Sequence, residues 1–131
     1  MVATKGNAGL WIDHREAYVV FIGDDGEVTK RIKSGMEKQV RFSGGNRPED
    51  GSADDQRDRQ YAAHLNRYYD EVVSCIHDAK SILLFGPGEA KQELKNRLVS
   101  KGLATRIVGI EAADKMTVPQ ILAKVRQHFL N

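Results

Sequence analysis

The sequence predicts a three-layer α/β/α domain with a mixed five-stranded sheet and the element order β-β-β-α-β-α-β-α. Short β-rich runs separated by turn residues fill the first third of the chain, which indicates an antiparallel meander. Two later apolar runs, at 81–85 and 104–111, alternate with helical patterns, so they are expected to pair in parallel through right-handed crossovers. Helices are then expected on both faces of the sheet.

Length and composition indicate one globular domain spanning residues 1–131, with about 9–129 structured. The chain has 131 residues, of which 40% are hydrophobic and 29% charged. Its one cysteine, Cys75, excludes an intrachain disulfide and fits a reducing compartment. The first residues lack the apolar stretch of a signal peptide, and no window approaches the ~20 apolar residues of a membrane span. We therefore expect a cytoplasmic protein.

The first part of the chain predicts three strands. Residues 9–22 form the first strand region, which ends in a continuous apolar run typical of a central strand. Gly-Asp-Asp-Gly at 23–26 is a strong turn signal, and residues 27–33 alternate as a returning strand. Val40 and Phe42 are expected to mark a short third strand.

A long loop and a long helix follow. Residues 43–53 contain three glycines and Pro48 and predict an exposed loop, which is unusually long for so small a domain. The helix is expected from about Asp54 to Asp78. It carries one apolar stripe, formed by Tyr61, Leu65, Tyr68, Tyr69, Val72, Val73 and Ile76.

The second half of the chain predicts two βα units. The buried strand at 81–85 leads into a helix at 89–101, which Gly102 ends. The last strand, at 104–111, leads into the third helix. Thr117 and Gln120 have the spacing of a capping box at the start of that helix.

Three stretches of the chain resemble the central domain of the archaeo-eukaryotic peptide-chain release factor and Pelota family. They are LWIDHREAYVVFIGDDGEV (10–28), SILLFGPGEAKQEL (81–94) and RIVGIEAADKMTVPQIL (106–122). The stretch at 81–94 resembles the "apolar strand, Gly-Pro-Gly, x, x, Lys, helix" segment of the Pelota-like branch, and the one at 106–122 is similar to a segment in bacterial relatives. The resemblance implies that the chain has a ribonuclease H-like fold and that it is a bacterial relative of this family.

The loop before the long helix carries the functional implication. In the release factors this loop holds a Gly-Gly-Gln tripeptide that enters the peptidyl-transferase centre and promotes hydrolysis of peptidyl-tRNA. Pelota proteins lack it and rescue stalled ribosomes without hydrolysis. Here the tripeptide is Gly44-Gly45-Asn46, and by resemblance these are the candidate catalytic residues.

The resemblance therefore implies a translation-associated protein that contacts ribosome or tRNA, in ribosome rescue or peptidyl-tRNA hydrolysis, with no cofactor. Only the central domain is matched, so the roles of the family's flanking domains are not carried over.

Charge is distributed unevenly around this loop. The net charge is only +2, but residues 29–47 hold six basic side chains against one acid, whereas 48–58 are acidic. Basic side chains can meet phosphates, and so can the helix N-terminus after Gly86-Pro87-Gly88. The candidate nucleic-acid-binding residues are Lys30, Arg31, Lys33, Lys38, Arg41, Arg47, Lys91 and Lys95. The alternatives are a solvated hairpin and an ordinary strand-to-helix turn.

Two other function classes stay open. A ribonuclease H-like nuclease would gather several carboxylates around metal ions. The candidates are Asp13, Asp70, Glu71, Glu111 and Asp114, although no metal-ligand spacing supports them and we expect no resident metal. The other alternative is a non-catalytic interaction module.

Overall fold

A computed structural model describes residues 6–23, 26–35 and 51–130, with the side chains of 51–60 left aside. The order of the strands and α-helices is the predicted one. They are β1 (Asn7–Ile12), β2 (Glu16–Gly23), β3 (Gly26–Lys33), α1 (Gly51–Ile76), β4 (Ser81–Gly86), α2 (Ala90–Ser100), β5 (Ile107–Ala112) and α3 (Val118–Leu130). A short 3-10 helix, Ala104–Arg106, precedes β5.

The five strands form one mixed sheet in the order β3-β2-β1-β4-β5. β1, β2 and β3 pair in antiparallel fashion, whereas β1–β4 and β4–β5 are parallel. Both the predicted meander and the predicted parallel units are therefore confirmed. The ends of β1, β3, β4 and β5 lie at one edge of the sheet, which we call the carboxyl edge.

The prediction of a single strand region at 9–22 is wrong. This stretch is a hairpin, in which β1 and β2 pair from Asn7 opposite Ile22 to Ile12 opposite Ala17. The predicted returning strand at 27–33 is therefore the third strand. The strand predicted at Val40 and Phe42 lies outside the described residues.

The helices cover both faces of the sheet, as predicted. α1 and α2 bury one face, with Leu65, Tyr69, Val72, Leu94 and Leu98 packed against Leu10, Ile12, Val19 and Leu84. α3 packs on the other face, where Ile121 and Val125 join Trp11, Val20 and Phe85. A Cβ at Gly9 of β1 would lie 2.7 Å from a methyl carbon of Val125, so this glycine lets α3 approach the sheet.

The helix ends follow local sequence signals. The capping box that begins α3 is confirmed, because Thr117 N–H donates to Gln120 Oε1 at 2.9 Å and Gln120 N–H donates to Thr117 Oγ1 at 3.3 Å. Gly102, with φ +81°, follows α2. α1 begins at Gly51, within the predicted loop 43–53 and ahead of its predicted start. In the described part of the chain, no helix is long and apolar enough to cross a membrane.

Candidate functional site

The carboxyl edge is where the predicted catalytic loop joins the described structure. Gly35 follows β3 at this edge, and the chain is described again from Gly51. The candidate catalytic residues Gly44, Gly45 and Asn46 lie outside the described residues, as do the basic candidates Lys38, Arg41 and Arg47. The described geometry of the site is that of the residues around this loop.

The turn between β1 and β2 is closed by an aspartate. Asp13 Oδ1 accepts hydrogen bonds from the backbone N–H groups of Arg15 at 2.8 Å and Glu16 at 2.9 Å. An aspartate side chain that binds the backbone two and three residues further on specifies a turn without glycine or proline. The hydroxyl of Tyr68 on α1 donates to the Asp13 carbonyl at 2.9 Å, and this bond ties the long helix to the turn.

The exit of β3 is held by the same elements. Ser34 N–H donates to the Arg15 carbonyl at 2.8 Å, and Ser34 Oγ donates to the His14 carbonyl at 2.7 Å. His64 Nε2 on α1 donates to the Ser34 carbonyl. Gly35 lies against the His64 ring with φ +81°, a conformation that favours glycine. The chain entering residues 36–50 therefore starts from an anchored position.

Glu93 on α2 joins α1 to the β1–β2 turn. Its Oε1 accepts from the Tyr69 hydroxyl at 2.5 Å and from His14 Nε2 at 3.1 Å. Burial raises the pKa of the Tyr69 phenol, and the hydrogen bond to Glu93 raises it further. Burial is also the main cause that raises the pKa of Tyr68, followed by the charge of Asp13. Both phenols therefore stay protonated and act as donors.

These contacts form what we call the polar seam: Asp13, His14, Ser34, His64, Tyr68, Tyr69 and Glu93. The seam fixes α1 against the carboxyl edge near its middle. The stretch from Gly51 to His64 adds about 20 Å of helix on the N-terminal side of the seam. Tyr61, in this stretch, is 41% exposed. The seam thus orients a helical arm that connects directly to residues 36–50.

The basic residues of β3 divide between the two faces of the sheet. Lys30 pairs with Val19 and therefore points to the face of α1 and α2. Arg31 and Lys33 pair with Tyr18 and Glu16 and point to the face of α3. Of these three candidate nucleic-acid-binding residues, Lys30 therefore lies on one face of the sheet and Arg31 and Lys33 on the other.

Arg31 has a fixed position on its face. Its Nε and Nη2 donate to Oε1 of Glu16 at 2.9 Å and 2.6 Å. The guanidinium lies 5.5 Å from the centre of the Tyr18 ring. The hydrogen bond to Glu16 raises the pKa of Arg31 above its already high value, so the side chain remains charged. Tyr18 and Glu16 are partners that the sequence did not identify.

The Gly86-Pro87-Gly88 turn begins α2 at the same edge. A Cβ at Gly86 would lie 2.2 Å from the Ile12 carbonyl oxygen, so the close approach of β4 to β1 requires glycine. Lys91 Nζ donates to the Gly88 carbonyl at 2.6 Å and folds over the turn. Lys95, one turn further along α2, is partly buried. The geometry is that of a tight strand-to-helix turn, with Lys91 engaged at its start.

The carboxylates considered for a nuclease have other partners. Asp13 closes the β1–β2 turn. Arg97 Nη2 donates to Asp70 at 2.5 Å, and Lys124 Nζ lies 2.7 Å from Glu111. Among the residues that the structure describes, no three His, Cys, Asp or Glu side chains are grouped to hold a metal ion. Glu71 and Asp114 are exposed and do not complete such a group. The described geometry does not favour a metal-dependent nuclease.

The sequence missed the polar seam because its members come from four segments. His14 and Glu93 are 79 positions apart, and Tyr68 and Asp13 are 55 apart. The apolar stripe of α1 did include both tyrosines, but it presented them as core residues alone. Their hydroxyl groups were the available signal, since a buried tyrosine hydroxyl normally finds a hydrogen-bond partner.

Comparison with known proteins supports the fold. No family model matches the chain, and no curated protein matches it in sequence. The solved Pelota protein of Thermoplasma acidophilum is similar with a TM-score of 0.59 and 15% identity, over 97% of this chain and 34% of Pelota. The archaeal translation termination factor aRF1 is similar with a TM-score of 0.55 and 12% identity, over 92% of this chain and 33% of aRF1.

A third solved structure extends the likeness. Dom34 of S. cerevisiae, a translation termination-like factor involved in RNA quality control pathways, matches with a TM-score of 0.53 and 12% identity, over 95% of this chain and 32% of Dom34. The chain spans about a third of the length of these three proteins. At such low identity the likeness establishes the fold, which is that of the Pelota central domain.

Proposed function

We propose that this chain is a translation-associated protein that contacts ribosome or tRNA and acts in ribosome rescue or termination. The observation that carries the proposal is the shared fold, which extends over at least 92% of the chain in each of the three comparisons. A termination factor and a termination-like factor of RNA quality control both contain this fold.

The polar seam supports the proposal. A surface that reaches into a crowded ribonucleoprotein cavity must project from a rigid base, since a loosely held group loses orientation. The Tyr68–Asp13 hydrogen bond and the His64–Ser34 contact provide such a base for α1. We infer that the helical arm and residues 36–50 together form the contact with RNA.

Ribosome association is tested by sedimentation of the purified chain with ribosomes through a sucrose cushion. We expect the chain in the ribosomal pellet, with more of it on ribosomes stalled on truncated messenger RNA. Absence from the pellet under both conditions would reject the proposal.

A narrower proposal is peptidyl-tRNA hydrolysis through Gly44, Gly45 and Asn46. Paired glycines let a backbone approach RNA without Cβ clashes, and a backbone N–H there can stabilise the oxyanion that develops during ester hydrolysis. Asn46 is one methylene shorter than the glutamine of the release factors, so a water held by its amide is displaced. A displacement of ~1 Å lowers a rate on the order of 100-fold, and we infer slow release by the natural chain.

Release of labelled peptide from stalled ribosomal complexes tests this narrower proposal. We expect Gly45→Ala to abolish release and Asn46→Gln to raise it by up to about 100-fold. Gly102→Ala is the matched control, because it replaces a positive-φ glycine at the far end of α2 and so reports general destabilisation. Equal release by the natural chain and Gly45→Ala excludes the loop as catalyst. Binding without release by any variant identifies a non-catalytic ribosome-binding module.

A further inference from the structure

One part of the α3-side sheet face lies beyond the cover of α3. α3 buries Val20 and Ile22 of β2, whereas Tyr18 near the start of that strand is only partly buried. Beside it, Arg31 and Lys33 of the edge strand β3 are exposed. We call Glu16, Tyr18 and Arg31 the stacking platform, because they hold a planar cation over an aromatic ring at this open face.

The platform is organised before any ligand arrives. Glu16 is 13% exposed and fixes the guanidinium with two hydrogen bonds to one oxygen, while 49% of the Arg31 side chain remains accessible. Tyr18 in turn packs against buried Trp11, with ring centres 6.3 Å apart. The guanidinium therefore lies over a supported ring, while about half of the Arg31 side chain stays accessible.

Within the part of the chain that the structure describes, the charge at the platform is positive. Glu16 compensates Arg31, but Lys33 is exposed two residues along the same side of β3 and enters no ion pair with the described part of the chain. One anion thus faces two cations. A bound molecule that stacks on Arg31 and also carries a negative charge could place that charge within reach of Lys33.

We propose that this platform binds an unpaired base of single-stranded RNA, stacked on the accessible Arg31 guanidinium, with a neighbouring phosphate at Lys33. Proteins read unpaired bases by stacking on aromatic side chains and on arginine planes, whereas lysines take the phosphates. The choice of RNA rests on the proposed translation function. The position of Arg31 over the Tyr18 ring, the accessibility of Arg31 and the charge of Lys33 come from the described residues.

Fluorescence anisotropy of a labelled uridine octanucleotide tests the site with the purified full chain. Arg31→Lys keeps the positive charge but removes the planar guanidinium group, and it is expected to weaken binding about tenfold. Lys33→Ala is expected to weaken binding and to reduce its salt dependence. Lys101→Ala is the matched control, since it removes the same charge from an exposed position at the end of α2, on the other face of the sheet, and should change affinity less than about twofold.

Two further probes separate stacking from charge attraction. An abasic octanucleotide carries the same phosphates, and we expect the natural chain to bind it about tenfold more weakly than the uridine octanucleotide. Double-stranded RNA of equal length should also bind weakly, because its bases are paired. Tyr18→Phe keeps the ring and should retain affinity. Tyr18→Leu removes the ring and should weaken RNA binding. Its urea midpoint checks that this variant is still folded.

Equal binding of the abasic and uridine probes would overturn the proposal, and so would equal effects of Lys101→Ala and Lys33→Ala. A polyglutamate peptide that binds as tightly as the uridine probe would identify an acidic peptide as the ligand instead. Failure here is distinct from failure of the proposed function, because ribosome sedimentation does not require this face. A chain that sediments with ribosomes unchanged by Arg31→Lys contacts them elsewhere.

Discussion

The three tyrosines of α1 allow one substitution to be compared in three environments. Tyr68 and Tyr69 are 3% and 2% exposed and donate hydrogen bonds, whereas Tyr61 is 41% exposed. Tyrosine to phenylalanine removes only the hydroxyl group, so the packing of the ring stays nearly constant. The differences among the three variants therefore report the polar seam rather than the hydrophobic core.

The expected loss of unfolding free energy depends on which group accepts the hydrogen bond from each tyrosine hydroxyl. Tyr68→Phe removes a bond to a backbone carbonyl and is expected to cost about 1 kcal/mol of unfolding free energy. Tyr69→Phe removes a bond to the Glu93 carboxylate, and a charged acceptor makes the loss larger, about 1.5 kcal/mol. This value is at the low end of the range because the Glu93 side chain is 38% exposed and keeps its bond to His14. Tyr61→Phe should cost less than about 0.5 kcal/mol.

Urea unfolding followed by tryptophan fluorescence measures these differences, since Trp11 is the only tryptophan and lies in the core. A loss of about 1 kcal/mol should also lower the melting temperature by roughly 3–5 °C. The reasoning is refuted if Tyr68→Phe and Tyr69→Phe are as stable as Tyr61→Phe. Such a result would mean that the seam does not hold α1 to the carboxyl edge.

Three other predictions concern the same framework. Because burial raises the pKa of Tyr68, the folded chain keeps the phenol proton that the unfolded chain releases near pH 10. The contribution of this group to stability is therefore present below that pH, and above it the free energy of unfolding falls by up to about 1.4 kcal/mol per pH unit. Urea midpoints measured from pH 8 to 11 should show a shallower fall for Tyr68→Phe than for the natural chain. Gly86→Ala should lower the free energy of urea unfolding by at least about 3 kcal/mol, because the added Cβ would lie 2.2 Å from the Ile12 carbonyl oxygen. Gly88 has open space around it and φ +64°, so Gly88→Ala should cost about 1 kcal/mol. Equal losses would argue against the close approach of β4 to β1. Thr117→Ala breaks the capping box of α3 and should cost about 1 kcal/mol by the same measurement, and no loss would mean that the cap does not contribute.

The sequence predicts the element order because periodicity and turn residues are local signals. It misjudges the β1–β2 hairpin because the turn at Asp13 contains neither glycine nor proline. That turn depends on a side-chain bond from Asp13 to the backbone of Arg15 and Glu16, which residue type alone does not reveal. The described residues still contain five strands, because the hairpin divides the predicted first strand region into two.

The candidate site was less predictable. Arg31 was identified as a basic residue, but its position over the Tyr18 ring depends on the β2–β3 register, which follows only once the hairpin is known. The separation of Lys30 from Lys33 is a local signal instead, because residues along one strand alternate between its two faces. The polar seam required contacts across the whole fold. Gly44, Gly45 and Asn46 remain predictions from resemblance.

Sedimentation of the chain with stalled ribosomes measures directly whether it takes part in translation. We expect the natural chain to enter the ribosomal pellet at physiological salt and to leave it as the salt concentration rises, because RNA contacts through cations depend on salt. We also expect Gly45→Ala to enter the pellet, because one added methyl group leaves the rest of the proposed contact, the helical arm and the other residues of 36–50, unchanged. A chain that stays in the supernatant with normal and stalled ribosomes at every salt concentration would contradict a role in translation.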